Sequence, residues 1–257
     1  MDNLELNKIY NEDCLVGMNE IADGVVDCII CDLPFGTTKN QWDSIIPLDE
    51  LWAQYNRIIK KRGAIVLFAQ TPFDKVLGAS NLPMLKYEWI WEKEQGTGHL
   101  NANFAPMKSH ENILVFSKSA SCFVKNPMNA MVYNPQKTEG KPYTCKQGSA
   151  SSNYDPNNQK SVTTENNGDR YPKSVLRFAR DKGAWHPTQK PLDLIRYLVR
   201  TYSNEGDLVL DNCMGSGTTA IACMKEKRHF LGFELNTKYW EKANERIEME
   251  KSQPTLF

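Results

Sequence analysis

The chain has 257 residues, 40% of them hydrophobic, which is enough for one substantial core and predicts one enzyme-sized domain with an insertion. Its 31 basic and 31 acidic residues balance, which argues against a large nonspecific nucleic-acid surface. The chain begins without the apolar run of a signal peptide, and no apolar stretch of about 18 residues follows. We therefore expect a soluble, cytoplasmic protein.

The first half of the chain predicts two buried strands joined by a helix. Val25–Cys31 and Ala64–Ala69 are short, continuous and rich in β-branched residues, as expected for strands covered on both faces. Leu48–Ile59 carries apolar residues at spacings of three and four, which is typical of a helix. Lys60–Gly63 then predicts a basic last turn with a C-capping glycine.

The cysteines predict reduced thiols. There are seven of them, an odd number without a repeating frame, which does not suit a disulfide scaffold. Cys28 and Cys31 have the spacing of a redox or metal pair, but residues three apart on a strand point to opposite faces. We interpret both as core residues. The four histidines have no metal-ligand spacing, so no metal is predicted.

The second half repeats the alternation of strands and helices. Leu192–Tyr202 and Thr218–Lys227 predict helices that lead into strands at Leu208–Leu210 and Phe230–Phe233. Two further predicted strands lie earlier in the chain, at Lys86–Trp91 and Asn112–Lys118. This alternation predicts an α/β fold in which a mostly parallel sheet has helices on both faces.

A polar segment interrupts this pattern. Ser119–Arg180 has little periodicity and is too long for an ordinary connection, so it is interpreted as an insertion. From Lys118 to Lys190 there are twelve Lys or Arg against five Asp or Glu, a local charge of +7. A basic insertion on an acidic body favours contact with a polyanion, and a solvated loop is the alternative.

A glycine turn follows the strand at Leu208–Leu210. Asp211 is followed by Gly215 and Gly217 and then by a helix start, an arrangement in which the backbone bends and approaches a ligand. No lysine follows the second glycine, which excludes a phosphate loop of the Walker type. Glu234 ends the next predicted strand, where a carboxylate would meet ribose hydroxyls. The segment predicts a nucleoside-containing cofactor, with a tight structural turn as the alternative.

A second candidate loop ends the first strand. Asp32–Gly36 places a carboxylate, a proline and an aromatic ring at the carboxyl edge of the sheet, where open α/β sheets bind ligands. The carboxylate and the adjacent carbonyl are two hydrogen-bond acceptors, and the ring offers stacking to a planar base. A structural loop is the alternative.

Together these segments resemble the DNA amino-methyltransferases. Asp32–Phe35 is similar to their Asp-Pro-Pro-Tyr loop, and Asp211–Thr219 to their cofactor loop Asp-Pro-Phe-x-Gly-Ser-Gly-Thr-Thr. Other matching segments are His186–Pro191, Gly232–Arg246, Trp91–Lys93 and His110–Lys118. The catalytic loop precedes the cofactor loop, as in the β group. The resemblance implies a Rossmann-like methyltransferase fold with circularly permuted motif order.

The resemblance also implies a division of the chain and a reaction. The expected parts are a catalytic half at 1–118, a target-recognition insertion at 119–183, a cofactor-binding half at 184–250 and a tail at 251–257. The implied enzyme transfers the methyl group of S-adenosylmethionine to the N6 amino group of adenine in DNA. The family tends to use Asp for adenine and Ser for cytosine, so adenine is expected and cytosine N4 is the alternative. Methylation at cytosine C5 is excluded, since none of the thirteen prolines precedes a cysteine.

The resemblance gives the catalytic loop its roles. The Asp32 carboxylate and the Leu33 carbonyl would each accept one amino hydrogen, while Phe35 stacks on a base flipped out of the duplex. Pro34 stiffens the loop. Leu33 replaces the usual proline, which matters little if the residue works through its carbonyl, and Phe35 keeps the stacking face of tyrosine without the hydroxyl.

Cofactor contacts are implied from both ends of the chain. The assigned residues are Asp13, Cys14, Asp32, His186, Thr188, Lys190, Asp211, Asn212, Gly215, Ser216, Gly217, Thr218, Thr219 and Glu234. Lys190 and Thr188 are candidates for the methionine carboxylate, because lysine is a suitable point charge. Asp13 has two interpretations, a carboxylate facing adenine and the N-cap of a helix over Leu15–Ile21.

Other functions and partners follow from the same residues. A nicotinamide-dependent oxidoreductase would use the Gly-x-Gly-x-x-Ala pattern, and a non-catalytic DNA-binding module would use the basic insertion. The implied partner is double-stranded DNA, with a homodimer also considered. Gln253–Phe257 resembles the peptide by which bacterial DNA-processing proteins bind the sliding clamp, and a frayed tail is the alternative. The expected location is the cytoplasm of a bacterial or phage-infected cell.

Overall fold

The computed structural model describes residues 4–36, 44–122, 125–147 and 162–252. The chain forms two compact units. The first, here called the catalytic unit, comprises Met1–Asn134 and Ser174–Phe257, and the second, the insertion unit, is Pro135–Lys173. No helix of the described residues is long and apolar enough to cross a membrane.

The elements are named in chain order. The strands of the catalytic unit are β1 (Lys8–Tyr10), β2 (Val26–Asp32), β3 (Ile59–Ala69), β4 (Leu85–Thr97), β5 (Lys108–Phe116), β10 (Val175–Arg177), β11 (Leu208–Asp211) and β12 (His229–Phe233). Its helices are α1 (Cys14–Asn19), α2 (Leu48–Ile58), α3 (Phe73–Ser80), α4 (Leu192–Tyr202), α5 (Thr218–Lys225) and α6 (Thr237–Ser252). The insertion unit contains β6 (Thr138–Glu139), β7 (Tyr143–Gln147), β8 (Val162–Asn166) and β9 (Asp169–Arg170).

One eight-stranded sheet, in the order β1-β12-β11-β2-β3-β5-β4-β10, organises the catalytic unit. Neighbouring strands are parallel except that β5 runs antiparallel to β3 and β4. The predicted mostly parallel sheet is confirmed. β2 and β11 lie side by side, although they are far apart in sequence, with Leu210 opposite Ile29. The loops that leave their carboxyl ends therefore start from the same edge.

Two hydrophobic clusters cover the two faces of the sheet. One packs strand residues against α4, α5 and α6, with Leu194, Ala220 and Ala243 buried, and the other packs them against α1, α2 and α3. Cys28 lies in the first cluster and Cys31 in the second, which confirms that they point to opposite faces. This burial on both sides explains why β2 reads as a continuous apolar run.

The predicted last turn at Lys60–Gly63 is wrong. Helix α2 ends at Ile58, and Ile59 is already extended, so these residues form the start of β3. A Cβ on Gly63 would lie 2.7 Å from the Asp27 carbonyl oxygen, so the glycine permits close approach of β3 to β2 rather than capping a helix. The other predicted elements are present with shifted ends, the largest shift being the extension of β4 to Thr97.

The insertion unit contains four short strands that the sequence did not predict. They pair antiparallel as β6 with β9 and β7 with β8. Residues 135–146 and 163–173 are all at least partly exposed except Gly168, which is buried. Residues 143–146 and 163–166 of these strands therefore present no buried face of the kind that marks a strand packed on a core.

Candidate active site

A cavity of about 510 Å³ lies where β2 and β11 end. The predicted site residues that line it are Asp13, Cys14, Asp32, Leu33, Pro34, Phe35, His186, Thr188, Lys190, Asp211, Asn212, Gly215, Ser216, Thr218, Thr219 and Glu234. Gly217 is the one predicted site residue outside this lining. The topology thus brings segments from both ends of the chain to one site.

The glycine turn joins β11 to α5. Gly215 and Gly217 have φ of 51° and 75°, a left-handed conformation that side chains with a Cβ rarely adopt. A Cβ on Gly217 would lie 3.2 Å from Cβ of Ala243, so this glycine also lets α6 approach the start of α5. Gly217 shapes the turn, while Gly215 contributes to the cavity wall.

Two buried carboxylates hold this turn. Asp211 accepts hydrogen bonds from the Thr219 hydroxyl at 2.6 Å and from the Cys213 amide at 3.1 Å. Glu234 accepts from the amides of Gly215 at 2.7 Å and Asn236 at 2.8 Å. Burial raises the pKa of both groups, to about 7 for Asp211. The carboxylates thus fix the backbone of the loop and at the same time line the cavity.

Asp13 acts as the N-cap of α1. Its Oδ1 accepts a hydrogen bond from the Leu15 amide at 2.8 Å, and α1 begins at Cys14. This interpretation of Asp13 is confirmed, although α1 ends at Asn19, earlier than predicted. Because Asp13 also lines the cavity, its contact with an adenine ring remains a prediction.

The catalytic loop is anchored by apolar side chains. Leu33 is buried in the cluster on the α1–α3 face, which holds the main chain directly after Asp32. The Phe35 ring lies 5.5 Å from the Phe73 ring and packs against both clusters. Leu33 therefore replaces the rigidity of a second proline with burial.

Asp32 carries the least satisfied polar group of this loop. Its Oδ2 lies 2.5 Å from Lys190 Nζ, whereas its Oδ1 is shielded from solvent and has no hydrogen-bond partner among the residues that the structure describes. Desolvation raises the pKa of Asp32, and the charge of Lys190 opposes this effect. The carboxylate therefore has acceptor capacity that the described residues do not use.

The segment before α4 brings three predicted residues to the cavity. The Nδ1 of His186 accepts from the Thr188 amide at 3.3 Å, and its ring lies 4.4 Å from the ring of Tyr239. Burial and the nearby charge of Lys190 lower the pKa of His186 to about 4, so the imidazole is neutral at neutral pH. Lys190 points to the catalytic loop, a contact that the sequence did not predict.

The sequence reasoning missed several cavity residues, among them three polar ones next to Lys190. Glu111, Lys93 and Gln70 line the cavity next to Lys190 and form a polar group of their own. A signal was present, because Lys93 and Glu111 stand beside the predicted strands Lys86–Trp91 and Asn112–Lys118, in segments that already matched the middle region of a known family. Charged residues in a buried strand need partners.

Comparisons with known proteins agree with this arrangement. A family model described as DNA methylase matches residues 26–245. Type II methyltransferase M1.MboII of Moraxella bovis is 30% identical over 262 residues, covering 94% of this chain and 96% of that protein. DNA adenine methyltransferase YhdJ of Escherichia coli (strain K12) is 27% identical, with coverage of 95% and 84%.

Among solved structures, the crystal structure of the M1.HpyAVI–SAM complex is similar to this chain. The TM-score is 0.61 at 23% sequence identity, and the match covers 93% of this chain and 98% of that chain. At this level of identity the likeness shows the fold, and it confirms the predicted Rossmann-like α/β architecture.

Proposed function

Because the chain belongs to the DNA methylase family, and is thus an S-adenosylmethionine-dependent DNA methyltransferase, we propose that its target is the N6 amino group of adenine in double-stranded DNA. The observation that carries the proposal is the Asp32 carboxylate, which ends β2 beside the glycine turn with one oxygen unpartnered. An exocyclic amino group offers the hydrogen-bond donors that this carboxylate lacks.

The cavity residues fit the cofactor. The glycine turn and the start of α5 allow a ligand to approach the backbone, and the Glu234 carboxylate offers acceptors suited to ribose hydroxyls. The Asn212 side chain is held in place because its Oδ1 accepts from the Tyr55 hydroxyl at 2.5 Å. When bound, S-adenosylmethionine supplies a methyl group activated on a sulfonium sulfur.

The chain's own residues must make a poor nucleophile reactive. The lone pair of the adenine amino nitrogen is delocalised into the ring, and two acceptors on the amino hydrogens localise it. The Asp32 carboxylate and the Leu33 carbonyl take these positions, and Phe35 stacks on the base. Flipping the base costs a few kcal/mol, which stacking of about 1 to 3 kcal/mol per base and the hydrogen bonds offset.

Two facts favour adenine over cytosine. The loop begins with Asp32, the residue that the family resemblance associates with adenine, rather than with serine. The relative from Escherichia coli is named a DNA adenine methyltransferase and aligns with 95% of this chain. We assign the amino group of adenine on these grounds.

The test is methyl transfer followed by nucleoside analysis. The protein is incubated with labelled S-adenosylmethionine and unmethylated bacterial DNA, and the modified nucleosides are identified by mass spectrometry. N6-methyladenine supports the proposal, whereas N4-methylcytosine contradicts the adenine assignment.

Variants of Asp32 test the catalytic loop. Asp32→Ala should abolish product while the Kd for S-adenosylmethionine, measured by calorimetry, stays close to that of the wild type. The matched control is Asp23→Ala, which removes an Asp side chain that is 78% exposed and outside the cavity lining. Full activity of Asp32→Ala would show that the loop has been assigned wrongly.

We propose that the insertion at 119–183 contacts the DNA. The supporting observation is the content of exposed polar and basic side chains, such as Lys141, Lys146 and Lys173, which suit phosphate oxygens. We propose that the chain is divided by function into four segments, 1–118, 119–183, 184–250 and 251–257. The second segment recognises the target sequence.

Three further proposals concern partners and location. The clamp-binding peptide Gln253–Phe257 lies outside the described residues, and its deletion from Leu256 onward should abolish a micromolar complex with a bacterial sliding clamp in vitro. Unchanged binding would contradict that proposal. A homodimer is tested by sedimentation of the full chain, and a cytoplasmic location by fractionation of cells.

A further inference from the structure

Four charged side chains form a cluster behind the catalytic loop. The charge cluster consists of Asp32, Lys190, Glu111 and Lys93, with Gln70 at its edge. Lys190 Nζ lies 2.5 Å from Asp32 Oδ2 and 3.3 Å from Glu111 Oε2, and Lys93 Nζ lies 2.5 Å from Glu111 Oε1. Two ammonium groups and two carboxylates thus alternate and sum to zero.

Three of the four side chains in the cluster are buried, so their charges depend on one another. The side chains of Lys93, Glu111 and Lys190 are 3%, 8% and 9% exposed. Removing one partner of a buried pair leaves an uncompensated charge, which is far more costly than the same change at the surface. The position of Lys190 is therefore set by both carboxylates together.

Glu111 holds Lys190 from the side away from Asp32. Its Oε1 is occupied by Lys93 and by the Gln70 amide at 2.9 Å, while its Oε2 faces Lys190. Nearby charges of Lys190 and Lys93 lower the pKa of Glu111 to about 2 despite its burial. Glu111 is accordingly a fixed negative charge at neutral pH. The Phe68 ring, 5.1 Å from Lys190 Nζ, adds a cation–π contact.

We infer that Lys190, held by Glu111, is a positioning residue that fixes the Asp32 carboxylate and keeps it ionised, and that Lys190 is not the ligand of the cofactor's carboxylate. This inference rests on the proposed function, because it assigns Asp32 to the amino group of the base. It replaces the role that the sequence resemblance gave to Lys190.

The pH dependence follows from the groups that face Asp32. Lys190 and Lys93 lower its pKa, whereas desolvation and Glu111 raise it, and Asp211 faces it across the sheet edge. Loss of Lys190 removes the largest stabilising charge and leaves only the weaker effect of Lys93 to oppose desolvation and Glu111. The pKa of Asp32 then rises, and the acid limb of the activity profile moves to higher pH.

The first test compares Lys190→Met with Lys190→Arg. We expect Lys190→Met to lower kcat about 100-fold at pH 7, the scale of effects on groups that accept or donate protons in catalysis. Its acid limb should move up by at least about one pH unit, the effect of one nearby opposite charge. The Kd for S-adenosylmethionine should change less than about twofold, because Lys190 is assigned no contact with the cofactor. A tenfold change would correspond to about 1.4 kcal/mol. Lys190→Arg should restore most of kcat.

The control variant is Lys251→Met, which neutralises an exposed lysine in an ion pair with Glu248 on α6. It should match the wild type in every measurement. A large rise in the Kd for S-adenosylmethionine in Lys190→Met, with an unchanged pH profile, would overturn the inference and return Lys190 to the cofactor. Glu111→Gln provides a second variant, with the same direction of effect on kcat and again no effect on this Kd.

A measurement without catalysis separates this inference from the proposed function. The carboxyl carbon of Asp32 is followed by ¹³C NMR during a pH titration of the ligand-free protein, with assignment from Asp32→Asn. We expect its midpoint to rise in Lys190→Met and to stay in place in Lys251→Met. An unchanged midpoint overturns the inference, whatever base the enzyme methylates. If the titration moves as expected but no methyladenine forms, the proposed function fails instead.

Discussion

The catalytic unit and the insertion unit are stabilised by different interactions. In the catalytic unit, strands such as β2 and β11 are buried on both faces, and polar groups at the site are tied into the turn by Asp211 and Glu234. In residues 135–146 and 163–173 of the insertion unit, every side chain is at least partly exposed. Hydrophobic burial therefore accounts for the stability of one unit and contributes little to the other.

The insertion unit relies on polar contacts. Lys137 forms an ion pair with Asp169 at 2.7 Å and lies 4.8 Å from the Tyr171 ring, while Arg170 lies 4.6 Å from the Tyr143 ring. Exposed ion pairs of this kind contribute about 0 to 1 kcal/mol each. Aligning a base with a methyl donor needs fixed groups that exclude water, whereas phosphate contact needs exposed charge. The fixed side chains of the cavity suit the first requirement, and the exposed charges of the insertion unit suit its proposed contact with DNA.

Loss of an aromatic ring should separate the units most clearly. Phe230→Ala removes a fully buried ring of β12 and should lower the free energy of unfolding by about 3 to 5 kcal/mol. Tyr143→Ala removes a ring that is 45% exposed and its contact with Arg170, which should cost about 0.5 to 1 kcal/mol. Urea unfolding measures both, and equal losses would show that the insertion unit has a hydrophobic core of its own.

Acid should destabilise the protein through His186. Its pKa is lowered from 6.5 to about 4 in the folded state, so the unfolded chain binds the extra proton first as the pH falls through 6.5. The contribution of neutral His186 to the free energy of unfolding is complete above pH 6.5 and is lost between pH 6.5 and 4. The loss is roughly 3 kcal/mol, at 1.36 kcal/mol per pKa unit. His186→Gln should remove this loss, as measured by urea unfolding between pH 4 and 8.

Asp211 works in the opposite direction. Its pKa is raised from 3.8 to about 7, so its contribution is complete below pH 3.8 and is lost as the pH rises toward 7. The difference between wild type and His186→Gln therefore isolates the histidine. Asp169→Asn, in the exposed ion pair of the insertion unit, serves as the control, and a flattened pH profile in that variant instead would contradict the assignment to His186.

Glycines with positive φ allow the two units to be compared at single positions. Gly217→Ala places a Cβ at φ of 75° and 3.2 Å from Ala243, which should cost about 1 to 2 kcal/mol and weaken S-adenosylmethionine binding about tenfold. Gly168→Ala, at φ of 116°, brings its Cβ within 2.5 Å of the Gly140 carbonyl oxygen. It should disturb the insertion unit and leave the Kd for the cofactor unchanged. Cofactor binding that weakens equally in both variants would show that the site depends on the insertion unit.

The fold could be predicted where burial leaves an apolar pattern in the sequence. Val25–Cys31 and Leu192–Tyr202 carry such patterns, and both elements are present at nearly the predicted positions. Gly63 was misread because a glycine after a helical pattern usually caps a helix, and its close approach to Asp27 depends on a neighbouring strand. The strands of the insertion unit have no buried face and therefore no pattern to read.

The candidate site was also predictable from the sequence only in part. The two loops that end β2 and β11 were found from local motifs, since strand, turn and carboxylate stand together in the sequence. The contact of Lys190 with Asp32 and Glu111 joins three segments that only the sheet brings together. No spacing in the sequence encodes it. What a lysine binds in a buried site depends on which carboxylates lie within reach.

Neutralising lysines of the insertion unit should have the smallest effect. Lys141→Met, Lys146→Met and Lys173→Met each remove one exposed charge, and fluorescence anisotropy measures DNA binding between 50 and 200 mM salt. Each phosphate contact that is lost should reduce the slope of log K against log salt by about 0.9. The Kd for S-adenosylmethionine and the free energy of unfolding should stay unchanged, because these side chains are exposed.

Lys251→Met is the control on the catalytic unit. If that variant reduces the slope as much as the others, the DNA contact cannot be assigned to the insertion, and both units would share the role of binding the phosphate backbone.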